Sequence, residues 1–178
     1  FEIQPKKINP FINYIKQNNN FLAVAVTMPY KKKMFNHIDK LDDFSMRAKS
    51  LNLILKRNNF FYGYNTDIYG AIYCLKPFIK KFKEVIIIGM GGTGQAIYNF
   101  LSFTFKEKKF HLISSKFQTK KKNVKVYRKL IPNLLKESKL IINCTPLGSN
   151  LKIKYKNRSP IQKQLFKILN KKSVIFDI

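Results

Sequence analysis

EVIIIGMGGTGQA, residues 84–96, decides how this chain folds. Four apolar side chains in a row, Val85 to Ile88, fit a strand covered on both faces, as in a parallel sheet. Glycine ends the run, and residues 93–103 follow with a helical pattern. Between the two, GMGGTG sets Gly89, Gly91 and Gly94 in G-x-G-x-x-G spacing, with Gly92 a further position without a side chain. Gly89 permits the tight turn, Gly91 lets a pyrophosphate approach backbone N–H groups, and Gly94 lets the helix pack on the strand. The helix start, from Thr93, offers free N–H groups and a positive dipole end to phosphate. The competing reading is an ordinary tight turn; the strand before and the helix after favour a dinucleotide.

Working outward, strands are expected over 110–114, 123–127, 139–144 and 173–178, with a helix over 160–169. Strands alternating with helices imply an α/β fold, a Rossmann-like doubly wound parallel sheet. Upstream, FLAVAVT (21–27) reads as a buried strand, and Pro29 opens a helix reaching about His37. A helix over 42–49, a strand over 51–55, a turn region over 56–67 and a helix over 68–76 ending at Pro77 complete this part. The boundary then falls near 76–83. Residues 1–76 form a smaller α/β substrate-binding and catalytic domain, and 77–178 the cofactor-binding domain. Both are expected to be incomplete, the first at its N-terminal side and the second at its C-terminal side.

Composition sets the outer limits. An apolar content of 45% over 178 residues supports a packed core and argues against disorder. The net charge of +26 would ordinarily suggest a nucleic-acid partner. It is almost all lysine, spread in doublets such as Lys6-Lys7 and Lys171-Lys172, and resembles a codon-composition bias. Without a zinc, RRM or KH signature, a nucleic-acid role is not expected. Cys74 and Cys144 lie far apart, so neither a disulfide framework nor a metal site is indicated, and a reducing, cytoplasmic setting fits. No apolar run approaches the ~20 residues of a membrane span, so no membrane partner is expected. The chain opens with Phe1, and a targeting signal cannot be judged from it.

The acid that binds the ribose 2′-OH at NAD-preferring sites usually stands about 20 residues beyond the glycines. Here that stretch reads HLISSKFQTKKK, residues 111–122, with no acid. Ser114, Ser115 and Lys116 suit a 2′-phosphate, which makes NADP the expected cofactor.

The order VTMPYK (26–31), NLI (52–54), GYNTDIYG (63–70), IIIGMGGTGQA (86–96), NCTPLG (143–148) and FDI (176–178) resembles the shikimate dehydrogenase family along the whole chain. The resemblance implies NADPH-dependent reduction of 3-dehydroshikimate to shikimate, in chorismate and aromatic amino-acid biosynthesis. It implies Lys31 as the catalytic lysine, Asp67 as its acidic partner, and Thr27, Asn52 and Asp67 as substrate contacts. Asn65 and Thr66 belong to the same motif. Asn143, Thr145, Pro146 and Gly148 match the family's N-A-T-P-x-G loop beside the nicotinamide. The family includes monomers and homodimers, so either state is open.

The chemistry suits a lysine. Hydride reduction of a ring ketone leaves an alkoxide, and a nearby ammonium stabilises that charge and supplies a proton. Simpler roles compete: Lys31 as one more surface lysine, Thr27, Thr66 or Asp67 as helix caps, Asn52 as a strand-end polar residue. His37 and His111 read as structural, and Tyr30 as packing. The family's Ser-x-Ser has no counterpart in residues 1–26, and the sequence stops before its D-x-x-Y tyrosine and glutamine-bearing final helices. Two rivals follow: a quinate/shikimate dehydrogenase accepting NAD, or a non-catalytic remnant with a basic, nucleic-acid-binding surface.

Overall fold

The computed structural model describes residues 3–4, 7–27, 29–137, 139–149 and 153–178; Lys6 and the Met28 of VTMPYK lie outside them. The chain divides into two compact units, Phe1–Gly70 and Ala71–Ile178, with the boundary inside helix 66–79.

The first unit opens on α1 (Ile8–Gln17), an element without a counterpart in the sequence reading. Ile8, Ile12 and Ile15 recur at helical spacing and bury one face with Val26, Met34, Leu51, Ile54 and Phe61. A four-stranded sheet lies against this core, in the order β1 (Ala23–Ala25), β3 (Leu53–Arg57), β4 (Phe60–Tyr64), β2 (Lys40–Leu41). β3 runs antiparallel to β1 and β4, while β2 pairs parallel with β4. Between β2 and β3 runs α2 (Asp43–Ala48), capped where Asp42 accepts from the N–H of Ser45 at 2.8 Å.

Three expectations need correction here. β1 is an edge of three residues, with Ala23 and Ala25 exposed, not a buried strand over 21–27. The segment after Pro29 forms turns and a 3-10 helix, Met34–His37. The stretch read as turns is a hairpin: Arg57 pairs with Phe60, and Asn58 and Asn59 take φ of 48° and 63°. Two successive left-handed residues are what a two-residue hairpin turn needs, and asparagine tolerates them.

The second unit is a five-stranded, all-parallel sheet in the order β7 (Val124–Tyr127), β6 (Lys109–Ile113), β5 (Glu84–Ile88), β8 (Leu140–Asn143), β9 (Val174–Asp177). The order reverses between β5 and β8, which puts a crevice beyond their carboxyl ends. α3 (Thr66–Ile79) leads in and carries Pro77 within its last turn, past the expected stop. α4 (Gly92–Thr104) packs on β5. The other face is covered by Leu134 and Leu135 of a 3-10 helix and by Ile161. The helix expected over 160–169 is only α5 (Lys163–Phe166).

At the start of β5, beside the middle of β6 and the approach to β8, a largely buried ionic cluster forms. One carboxylate oxygen of Glu84 accepts from His111 Nε2 and from Lys139 Nζ, each at 2.9 Å. Burial pushes Glu84 up, but these two bonds outweigh it and hold the carboxyl below its ordinary value. Burial holds His111 below its ordinary value, so the neutral ring donates from Nε2 and leaves Nδ1 facing Tyr127 Oη at 3.5 Å. His111 is structural, with a definite partner.

Candidate active site

In the first unit, Leu51 and Asn52, just before β3, draw two remote segments together through their backbone. Val26 N donates to Asn52 O at 2.7 Å, Leu51 N to Lys31 O at 3.0 Å, and Asn52 N to Tyr64 O at 2.9 Å. Lys31 and the start of α3 therefore stand on either side of Asn52. Lys31 Nζ donates to Asp67 Oδ2. The two side chains are 31% and 49% exposed, so the pair is open to solvent on one side.

What leaves Asp67 available is the residue two before it. Asn65 caps α3: its Oδ1 accepts from the N–H of Ile68 at 3.0 Å, and its Nδ2 donates to Ser50 O at 2.9 Å and Ser50 Oγ at 3.0 Å. Neither Thr66 nor Asp67 supplies the cap. Thr66 instead pairs reciprocally with Asn52, whose Nδ2 donates to Thr66 Oγ1 at 2.8 Å and whose Oδ1 accepts from Thr66 N at 2.9 Å. Asn52 thus has a definite pairing rather than a bare strand-end place. Thr27 is exposed on the turn that leads to Lys31, its carbonyl accepting from Tyr30 N at 2.9 Å. Tyr30 packs against the core, as expected of it, and its Oη donates to the carbonyl of Ile3.

In the second unit, the glycines meet their separate demands. Gly89 has φ of +90°, and a Cβ there would lie 2.6 Å from Thr145 Cγ2. A Cβ on Gly94 would fall on the Gly89 carbonyl oxygen. Gly91 and Gly92 face open space, with nothing within 4 Å of an added Cβ. A pyrophosphate fits that space, against the exposed first turn at Gly92 and Thr93. At the end of β6, Ser114 Oγ is taken up locally, accepting from Lys116 N at 3.3 Å and Phe117 N at 3.1 Å. Ser115 and Lys116 are exposed there, one strand over from the turn.

The loop after β8 completes the crevice. Cys144 N donates to Ile88 O at 2.8 Å. Asn143 is buried, its Oδ1 accepting from Thr145 N at 3.0 Å and Thr145 Oγ1 at 2.8 Å. Pro146 is exposed, and Gly148 takes φ of +91°. Burial, aided by the charge of Asp177, pushes the Cys144 thiol up to about 12. FDI carries no stated role for Asp177 in the sequence, and the β8–β9 register sets it opposite Asn143. Among the described residues, no group of three His, Cys, Asp or Glu is placed to hold a metal ion. None of their helices is long and apolar enough to cross a membrane.

No family model matches the sequence. A shikimate dehydrogenase (NADP(+)) from Prochlorococcus marinus (strain MIT 9215) is 26% identical over 172 residues, 89% of this chain and 60% of the relative. One from Clostridium botulinum (strain Hall) is 30% identical over 186 residues, covering 100% of this chain and 68% of the relative. The chain belongs to the shikimate dehydrogenase family. Within it, the crystal structure of shikimate dehydrogenase from Aquifex aeolicus matches 99% of this chain and 65% of its own, with 26% identity and a TM-score of 0.71. The chain spans between three fifths and about two thirds of the lengths of these shikimate dehydrogenases.

Proposed function

We propose that this chain reduces 3-dehydroshikimate to shikimate reversibly, with NADPH. The observation that carries the reading is the Lys31–Asp67 pair, set beside Asn52 and left open to solvent by the Asn65 cap. Bound NADPH supplies the hydride. As the ketone carbon gains it, negative charge grows on the oxygen. Lys31 donates a hydrogen bond to that oxygen and then its proton, and Asp67 keeps Nζ aimed and favours its reprotonation from solvent. Asn52 and Thr27 hold ring hydroxyls, and Asp67 accepts from another.

NADP is preferred over NAD on two grounds. The relatives' names specify NADP(+), and no acid follows β6 where a ribose 2′-OH would need one. Ser115 and Lys116, with Ser114 shaping their turn, receive the 2′-phosphate. Gly89, Gly91, Gly92, Thr93 and Gly94 hold the pyrophosphate, and Thr145, Pro146 and Gly148 line the nicotinamide side. The unit ending at Gly70 serves as the substrate-binding domain and the unit from Ala71 as the cofactor domain, a division a few residues before the one expected after residue 76. We place the protein in the cytoplasm, where two free cysteines are at home.

The test is loss of NADPH absorbance on adding 3-dehydroshikimate, with NADH and quinate as controls. Lys31→Ala should lower kcat by about 10²–10⁴ with a smaller change in KM. An unchanged kcat would remove Lys31 from the chemistry.

A further inference from the structure

At the carboxyl end of β8, Asn143 is matched to a loop that contacts the cofactor, yet its amide is already engaged on both sides. It is 3% exposed. Its oxygen takes two hydrogen bonds from Thr145, at 3.0 and 2.8 Å, and its nitrogen donates to Asp177 Oδ1 at 2.7 Å. The β8–β9 pairing sets Asn143 opposite Asp177, and Ile178 N donates to Asn143 O at 3.2 Å. Thr145 in turn sits where a Gly89 side chain would be, on the tight turn that opens the pyrophosphate site.

We infer that Asp177 is a positioning residue for cofactor binding, acting through Asn143 to hold Thr145 against the glycine turn. Asn143 is then a relay in that arrangement and not itself a cofactor contact. The acceptor on Asp177 fixes which way the Asn143 amide faces. With the amide turned over, Thr145 N and Oγ1 would meet an NH2 group in place of an oxygen, and a buried donor without an acceptor is costly. The inference rests on the cofactor reading above for its consequence, though not for the hydrogen-bond chain itself.

The chain of bonds predicts an unusual pattern of rescue. Asp177→Ala removes the acceptor and should weaken NADPH binding about tenfold, the scale of one charge-assisted hydrogen bond. Asn143→Asp sets two carboxylates against each other and should weaken it at least as much. The exchange Asn143→Asp with Asp177→Asn restores every bond with the charge moved one place, and should return affinity to within about threefold. A second readout needs no cofactor. In a Cys74→Ser background, the Cys144 thiol should react faster with a maleimide in Asp177→Ala than in the parent, and slowly again in the exchanged pair.

NADPH titration by fluorescence and maleimide kinetics on the same four proteins decide the matter, with unfolding midpoints showing that each is folded. Parent-like NADPH affinity in Asp177→Ala would overturn the inference, as would an exchanged pair no better than Asn143→Asp. A parent that binds no NADPH would remove the cofactor role of Asp177 together with the cofactor reading. The thiol rates would still report the influence of Asp177 on Cys144, through its charge and through the loop together.

Discussion

Replacing Asn65 by alanine should destabilise the first unit more than its single position suggests. The cap bond to Ile68 N–H is lost, which costs about 1 kcal/mol at a typical N-cap. The Ser50 carbonyl loses its Asn65 donor inside the core, where an unmet polar group costs about 1–3 kcal/mol. The sum is roughly 2–4 kcal/mol, read as a shift of the urea midpoint at constant slope. Asn65→Ser separates the two parts: a hydroxyl can accept from Ile68 N–H but is too short to reach Ser50. It should be about 1 kcal/mol better than alanine. Because the cap sets the first turn of α3, alanine should also slow turnover through Asp67. A cost under about 0.5 kcal/mol for alanine, the level of an ordinary surface change, would refute the reasoning. So would a serine variant no better than alanine.

The glycine turn makes paired predictions. Gly91→Ala has an ordinary φ of −72° and open space around it, so folding should be unchanged while NADPH binding is blocked, as titration would show. Gly94→Ala pushes a methyl onto the Gly89 carbonyl and should itself cost about 1–3 kcal/mol in a melt. The His111 cluster predicts acid sensitivity. Below the ordinary histidine value the unfolded chain takes up a proton that folded His111 resists, so stability falls with pH in that range. Glu84, held below its ordinary 4.5, adds a further loss as the solution becomes more acid still. Urea midpoints of the parent and of His111→Gln between about pH 7 and 5 should diverge, the variant losing the upper part of the slope. Finally, added salt should raise the melting temperature by screening repulsion among the lysines before each strand, and an unchanged or lower value would contradict it.

That last prediction rests on something the sequence concealed. Lys80, Lys81, Lys120, Lys121, Lys122 and Lys171 look scattered along the chain, and their spread suggested uniform bias. In a parallel sheet every approach loop arrives at the same edge, so β5, β7 and β9 collect them at the end opposite the glycine turn. The turn itself was legible because Val85–Ile88 is short, wholly β-branched and ended by glycine, as a strand buried on both faces is, and the glycine spacing adds a second, independent constraint. The hairpin was not, because Asn58, Asn59 and Gly63 read as loop residues and outweighed the aromatic strand around them. Two asparagines between β-forming runs are themselves a hairpin signal. Pro77 misled in the same local way: near the end of α3 it withholds the N–H bond to the Tyr73 carbonyl and crowds that carbonyl with its ring, and the last turn tolerates both.

The site shows a different kind of limit. Lys31 and Asp67 could be named from motifs, but nothing in either segment says that the acid is free to meet the lysine. An aspartate in the first turn of a helix is at least as apt to cap it or to serve its dipole. Asn65 resolves the competition by taking the cap, and Thr66 by turning to Asn52, so that of three consecutive polar residues only the third is left to face the ammonium. The division of labour in N-T-D is therefore positional. Exchanging Asn65 and Asp67 would keep the composition and the helix, yet set the carboxylate on Ile68 N–H and an amide against Lys31. Such a chain keeps the cap but loses the donor to the Ser50 carbonyl, so it should be about 1–3 kcal/mol less stable and, where a melt shows it folded, fail to reduce its substrate; activity retained there would mean that the order of the three residues carries no function.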